Sequence, residues 1–125
     1  MKIKKFAVVL SMLAVLVAVS VSSVGALTPV HVSSLKATYA TGQIKATVHV
    51  LDALNKPVSN AAVQVSFEKE GLPVILRSGM TSRSGSTAIA AVVPAGNWLV
   101  CVEEIHKIGY EYNPLHNTCT TILVP

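Results

Sequence analysis

Cys101 and Cys119 are the chain's two cysteines, and the residues between them hold most of what could do chemistry. His106, His116 and Glu104 fall inside this segment, together with Tyr110 and Tyr112. If the segment returns as an antiparallel hairpin with the cysteines side by side, paired positions sum to 220. His116 then lies opposite Glu104, and His106 sits diagonally across on the same face, within reach of long side chains. Two imidazoles and a carboxylate would make a partial site for zinc or copper. A complete site wants a third or fourth protein ligand, and neither His31 nor His49 has an evident place in it. These residues therefore read as surface histidines beside a loop, with no cofactor or bound metal expected.

Other chemistries find less support. A nucleophilic triad needs a serine or cysteine, a histidine and an orienting carboxylate converging in space. No serine here sits in a G-x-S-x-G elbow. Glu103 and Glu104 would point to opposite faces of a regular strand, so they could not flank one glycosidic bond. Glu68 and Glu70 share a face beside a turn and read as a solvated edge. There is no Walker loop, G-x-G-x-x-G or EF-hand loop. The chain reads as non-enzymatic, the alternative being a small secreted metal-binding protein or enzyme that uses the His106/His116/Glu104 face.

The amino end reads as a targeting segment. Lys2, Lys4 and Lys5 precede an apolar run from Phe6 to Val19 interrupted only by Ser11, and Val24-Gly25-Ala26 supplies small side chains for cleavage. That order is the layout of a secretory signal peptide. Residues 1–26 are expected to be removed between Ala26 and Leu27, leaving 27–125 as one domain; the alternative is a retained membrane anchor. Three of the ten basic side chains leave with the signal, so the remainder carries seven basic and six acidic groups. No basic stripe remains to bind nucleic acid. Export also favours a disulfide between Cys101 and Cys119 over two free thiols, since disulfides persist outside the cytoplasm.

Short alternating stretches separated by turn residues must position all of this. Ile44, Ala46, Val48 and Val50 share one face of the run 43–52, and Ala61, Val63, Val65 and Phe67 share one face of 61–68. Further strands are predicted over 32–39, 74–81, 87–93, 98–105 and 117–124, with Trp98 on the core face beside Val100 and Val102. A period of two means one buried face and one wet face. Seven short strands with frequent turn signals predict an all-β antiparallel sandwich. Tyr112, on the last connection, is a candidate ligand contact or a packing residue, and Tyr110 is expected to fold back onto the sandwich.

The stretch Val48-His49-Val50-Leu51-Asp52-Ala53-Leu54-Asn55-Lys56-Pro57-Val58 and the returning Ala61-Ala62-Val63 resemble the opening of bacterial and archaeal immunoglobulin-like modules. They are similar also to carboxypeptidase regulatory-like domains. Thr81 to Ala88, Pro94 to Val100 and Gly109 to Pro114 fit the same pattern in order and spacing. Asn55-Lys56 stands where a glycine-containing turn is usual, and Trp98 where tyrosine is common. The resemblance implies an immunoglobulin-like β-sandwich, secreted or at the cell surface, with a binding, adhesion or spacer role toward an extracellular protein or carbohydrate. It implies no activity, because such folds host many functions.

Overall fold

The computed structural model describes residues 26–125. The expected signal segment lies outside the described residues up to position 25, and Ala26 and Leu27 form an exposed lead into the first strand. Eight strands follow: β1 (Thr28–Ala40), β2 (Gln43–Asp52), β3 (Ala62–Glu68), β4 (Ile75–Met80), β5 (Ser86–Val92), β6 (Gly96–His106), β7 (Tyr110–Tyr112) and β8 (Cys119–Val124). They form two four-stranded sheets, ordered β5-β2-β1-β7 and β4-β3-β6-β8. The predicted all-β sandwich is what forms, with one more strand than expected.

Alternation decides which side chains meet between the sheets. Ile44, Ala46, Val48 and Val50 of β2 are fully buried, as are Val63, Val65 and Phe67 of β3. Trp98, Val100, Val102 and Ile105 supply the inward row of β6. Removing this apolar area from water is the main favourable contribution to a domain of this size.

Turn chemistry sets the registers. Thr41 and Gly42 both adopt positive φ, at 47° and 80°, which closes the β1–β2 hairpin with the twist such two-residue turns require. At the next turn Asp52 Oδ1 accepts from the backbone N–H groups of Leu54 at 2.8 Å and Lys56 at 3.0 Å. This side-chain hold replaces the expected glycine, with Asn55 itself in the left-handed region at φ 61°. Thr81 is buried and serves both sides of the crossover from β4, donating to Val58 O at 2.6 Å and accepting from Ala61 N at 2.9 Å. Buried polar groups that pair in this way avoid the cost of desolvation without a partner.

On its two lateral sides the sandwich brings β4 beside β5 and β1 beside β8. On one, a Cβ on Gly79 of β4 would lie 2.6 Å from Thr87 Oγ1 of β5, so the missing side chain lets the sheets close against each other there. On the other, Val32, Leu35, Ala37 and Tyr39 of β1 stay only partly buried against the core.

Two sequence expectations are corrected. The first strand begins at Thr28, not Val32, because Thr28–Val30 pair with β7 and Val30–Val32 with the end of β2, Pro29 being tolerated so near the strand's start. The sandwich is not wholly antiparallel either, since β7 crosses to the other sheet and pairs in parallel with Thr28–Val30.

Candidate functional site

β6 and β8 pair antiparallel from Gly96↔Val124 to Cys101↔Cys119, in the register expected from the two cysteines. The cysteines form a disulfide with Cα atoms 4.1 Å apart. That spacing belongs to a non-hydrogen-bonded pair, and Val102 N donates to Thr118 O at 2.9 Å one step further on. Cys101 pairs with Ser66 on its other side, while its chain neighbours Val100 and Val102 point into the core. The bridge is therefore on the outer face of its sheet, with Cys101 covered and Cys119 exposed.

Beyond this point the hairpin stops. The extrapolated pairing of His116 with Glu104 does not form, because the chain leaves β6 at His106 and crosses to β1. It returns through a 3-10 turn at Pro114–His116, capped by Asn113 Oδ1 accepting from Leu115 N at 3.0 Å. His106 is exposed at the end of β6, where it pairs with Ala62. His116 lies in the backbone of the 3-10 turn and not on a strand facing β6. Among the described residues no three His, Cys, Asp or Glu side chains are grouped as a metal ion would require. His49 is engaged elsewhere: its Nδ1 is 2.9 Å from Ser33 Oγ and its Nε2 is 2.8 Å from Ser84 O. Since a carbonyl only accepts, Nε2 carries a proton and donates to Ser84 O, while Ser33 Oγ bridges Nδ1 and the His49 carbonyl, to which it donates at 3.2 Å.

Glu103 and Glu104 also depart from expectation. Gln64 pairs with Glu104 and Val65 with Val102, so Glu103 is the extra residue of a β-bulge. The bulge sets both carboxylates between the inward-facing Val102 and Ile105, instead of on opposite faces. Glu103 Oε1 accepts from Ser66 Oγ at 2.7 Å. The two glutamates join His106, Tyr110, Glu111 and Tyr112 around an open cleft of about 430 Å³. Sequence reasoning missed Glu103 and Glu111 as its lining, since neither a one-residue bulge nor a parallel crossing leaves a mark in the alternation.

Tyr112 is held on both its apolar and its polar side. Its ring packs against the core, as does that of Tyr110, and Lys107 Nζ lies 5.1 Å from the Tyr110 ring centroid. In the orientation that satisfies its neighbours, the Asn117 amide nitrogen lies 3.0 Å from Tyr112 Oη, Val102 O and Pro114 O, which share its two hydrogens. Tyr112 thus fastens the crossing segment to β6. Burial, and after it the Glu103 carboxylate, raise the Tyr112 pKa above the ordinary phenol value of 10.0. The folded state then binds this proton more tightly than the unfolded chain. The stability it contributes is whole below pH 10 and is lost as pH rises through the folded pKa. The phenolate absorbance that Tyr112→Phe removes should therefore have its midpoint above pH 10 in the native protein. A midpoint at or below that pH would show the hydroxyl to be free in solvent.

Comparisons of the chain with protein-family models, with curated proteins and with solved structures find no match. The chain is a two-sheet β-sandwich whose last long strand pair is closed by a disulfide.

Proposed function

We propose that the chain is a non-enzymatic binding, adhesion or spacer module of immunoglobulin-like type, exported and working outside the cytoplasm. The observation that carries this reading is the Cys101–Cys119 bridge on the outer face of a sandwich, a cross-link that persists in oxidising surroundings. The basic, apolar and small-residue order of residues 1–26 supports it independently. The pairings β2 with β5, β3 with β6 and β6 with β8 are compatible with the immunoglobulin-like arrangement that the sequence resembles. Among the described residues no helix is long and apolar enough to cross a membrane. The competing reading, a metal site or enzyme on the His106/His116/Glu104 face, loses the cross-strand register on which it was built.

Cleavage between Ala26 and Leu27 would leave the first strand whole, because Thr28 N already donates to Gly109 O at 2.9 Å. Intact-mass analysis of cell fractions should find a chain beginning at Leu27 outside the cytoplasm, lighter by the hydrogens lost on disulfide formation. Full-length chain confined to the membrane would replace secretion by anchoring, and reduced chain in the cytoplasm would overturn the proposal.

A further inference from the structure

We propose that the free edge of β1 over Ser34–Ala40 takes up an extended segment of a partner protein, one that alternates aliphatic and acidic side chains. β7 covers β1 only over Thr28–Val30, and a bulge at Ser33 follows, where the β1–β2 register shifts. From Ser34 to Ala40 no strand among the described residues pairs with the side of β1 away from β2.

Hydrogen-bond alternation says which groups are left over. The two-residue turn makes Ala40 and Gln43 a hydrogen-bonded pair, so Thr38↔Lys45 and Lys36↔Thr47 are hydrogen-bonded too. Leu35, Ala37 and Tyr39 lie between these pairs, and their N–H and C=O groups point to the open edge. The same three residues direct their side chains inward and remain half-buried, whereas Ile44, Ala46 and Val48 beside them on β2 are completely buried. A strand added here would satisfy the backbone groups and cover the apolar row in one step, which is how β-augmentation obtains its affinity.

The β4 and β5 edges are guarded, whereas β8 presents a further free edge beside β1. β4 carries Arg77 opposite inward-facing Val65, a charge that discourages an added strand, and Gly79 brings β4 close to β5. On β5 the inward Thr87, Ile89 and Ala91 are already buried. β1 has no proline and no inward charge between Ser34 and Ala40.

Charge selects the partner. The outward positions of β1, β2 and β5 on this sheet include Lys36 and Lys45, diagonal neighbours, and no Asp or Glu over 34–40, 43–49 and 86–92. Carboxylates at the outward positions of an incoming strand would lie beside Lys36, and opposite charges across a strand pair are favourable. A second copy pairing through the same edge would bring Lys36 toward its own symmetry mate, which disfavours that occupant.

The proposal rests on the binding-module reading but fails separately from it, since export and processing are measured independently. The probe is a capped eight-residue peptide alternating valine and glutamate, with valine–lysine and scrambled peptides as controls. Binding is followed by amide chemical shifts of the purified protein. Shifts should cluster at Ser34–Ala40, and the glutamate peptide should bind about tenfold more tightly than the lysine peptide. Ala37→Pro should leave the fold intact, because the lost N–H is the edge-facing one, and should abolish binding. Lys36→Glu should reverse the preference between the two peptides, and it tests the idea even if the proline variant does not fold. Equal binding of all three peptides, shifts elsewhere, or indifference to Lys36→Glu would each overturn the proposal. So would a concentration-dependent dimer that Ala37→Pro dissolves while the glutamate peptide goes unbound; the occupant would then be a second copy.

Discussion

Replacing Trp98 by alanine is expected to cost about 3–5 kcal/mol of folding stability, among the largest losses open to a single substitution here. Trp98 is the chain's one tryptophan and is 1% exposed. It begins the inward row of β6 that continues through Val100 and Val102, and it pairs with Ile122 of β8. Its Nε1 donates to Pro94 O at 3.0 Å, so the polar corner of the ring is satisfied at the turn that enters β6. Alanine would remove the ring, leave a cavity between rigid sheets and strand the hydrogen bond. Urea unfolding of both proteins measures the loss. Trp98→Phe separates the contributions, since it keeps an aromatic ring and gives up the hydrogen bond. Pro94 is exposed and its carbonyl can turn to water, so that variant should lose about 1 kcal/mol from the bond and more only where the smaller ring leaves space. An alanine variant within about 1 kcal/mol of the parent would show that the indole does not organise the core.

The Trp98 result is one that sequence could anticipate, and the reason is physical. Alternation with a period of two is forced by the pleat, so the inward rows of β2, β3 and β6 can be read from spacing alone. The register of β6 with β8 was equally legible, because two cysteines in a short segment name their own pair. What could not be read were departures that cost one residue or join distant segments. The bulge at Glu103 turns two carboxylates expected on opposite faces toward one cleft, and nothing in Val102-Glu103-Glu104-Ile105 announces it. β7 is three residues long and pairs with a segment some eighty positions earlier, so no local pattern could reveal it. That crossing is also why the strand pairing is not continued to positions 104 and 116. Turns were intermediate: Asp52 was recognised as the end of a strand, but its side-chain grip on Leu54 and Lys56 is visible only in three dimensions.

Removing the disulfide by the double substitution Cys101→Ala/Cys119→Ala should lower stability by about 3 kcal/mol. For a domain of this length that corresponds to a fall in melting temperature of roughly 15 °C. The bond closes a segment of 18 residues, so its absence frees the unfolded chain more than it disturbs the native one. Both cysteines are on the outer face of the β4-β3-β6-β8 sheet, and alanine at these positions opens no void between the sheets. Circular dichroism of the variant should remain that of the parent. The local effect should fall on β8, which is otherwise held by its ladder to β6, by inward Ile122 and Val124 and by its approach to β1. Faster amide exchange is therefore expected at Val102, whose N–H donates to Thr118 O beside the bridge, than at Val63 or Val65 in the centre of the sheet. Accessibility gives the companion result. Cys119 is exposed, so a small thiol should reduce the bond in native buffer faster than the domain unfolds. Reduction limited by the unfolding rate would mean that the bridge is protected by structure, and a double variant as stable as the parent would mean that the native strand pair does not need its clamp. Titration of two reactive thiols in the unreduced protein would falsify the bridge itself.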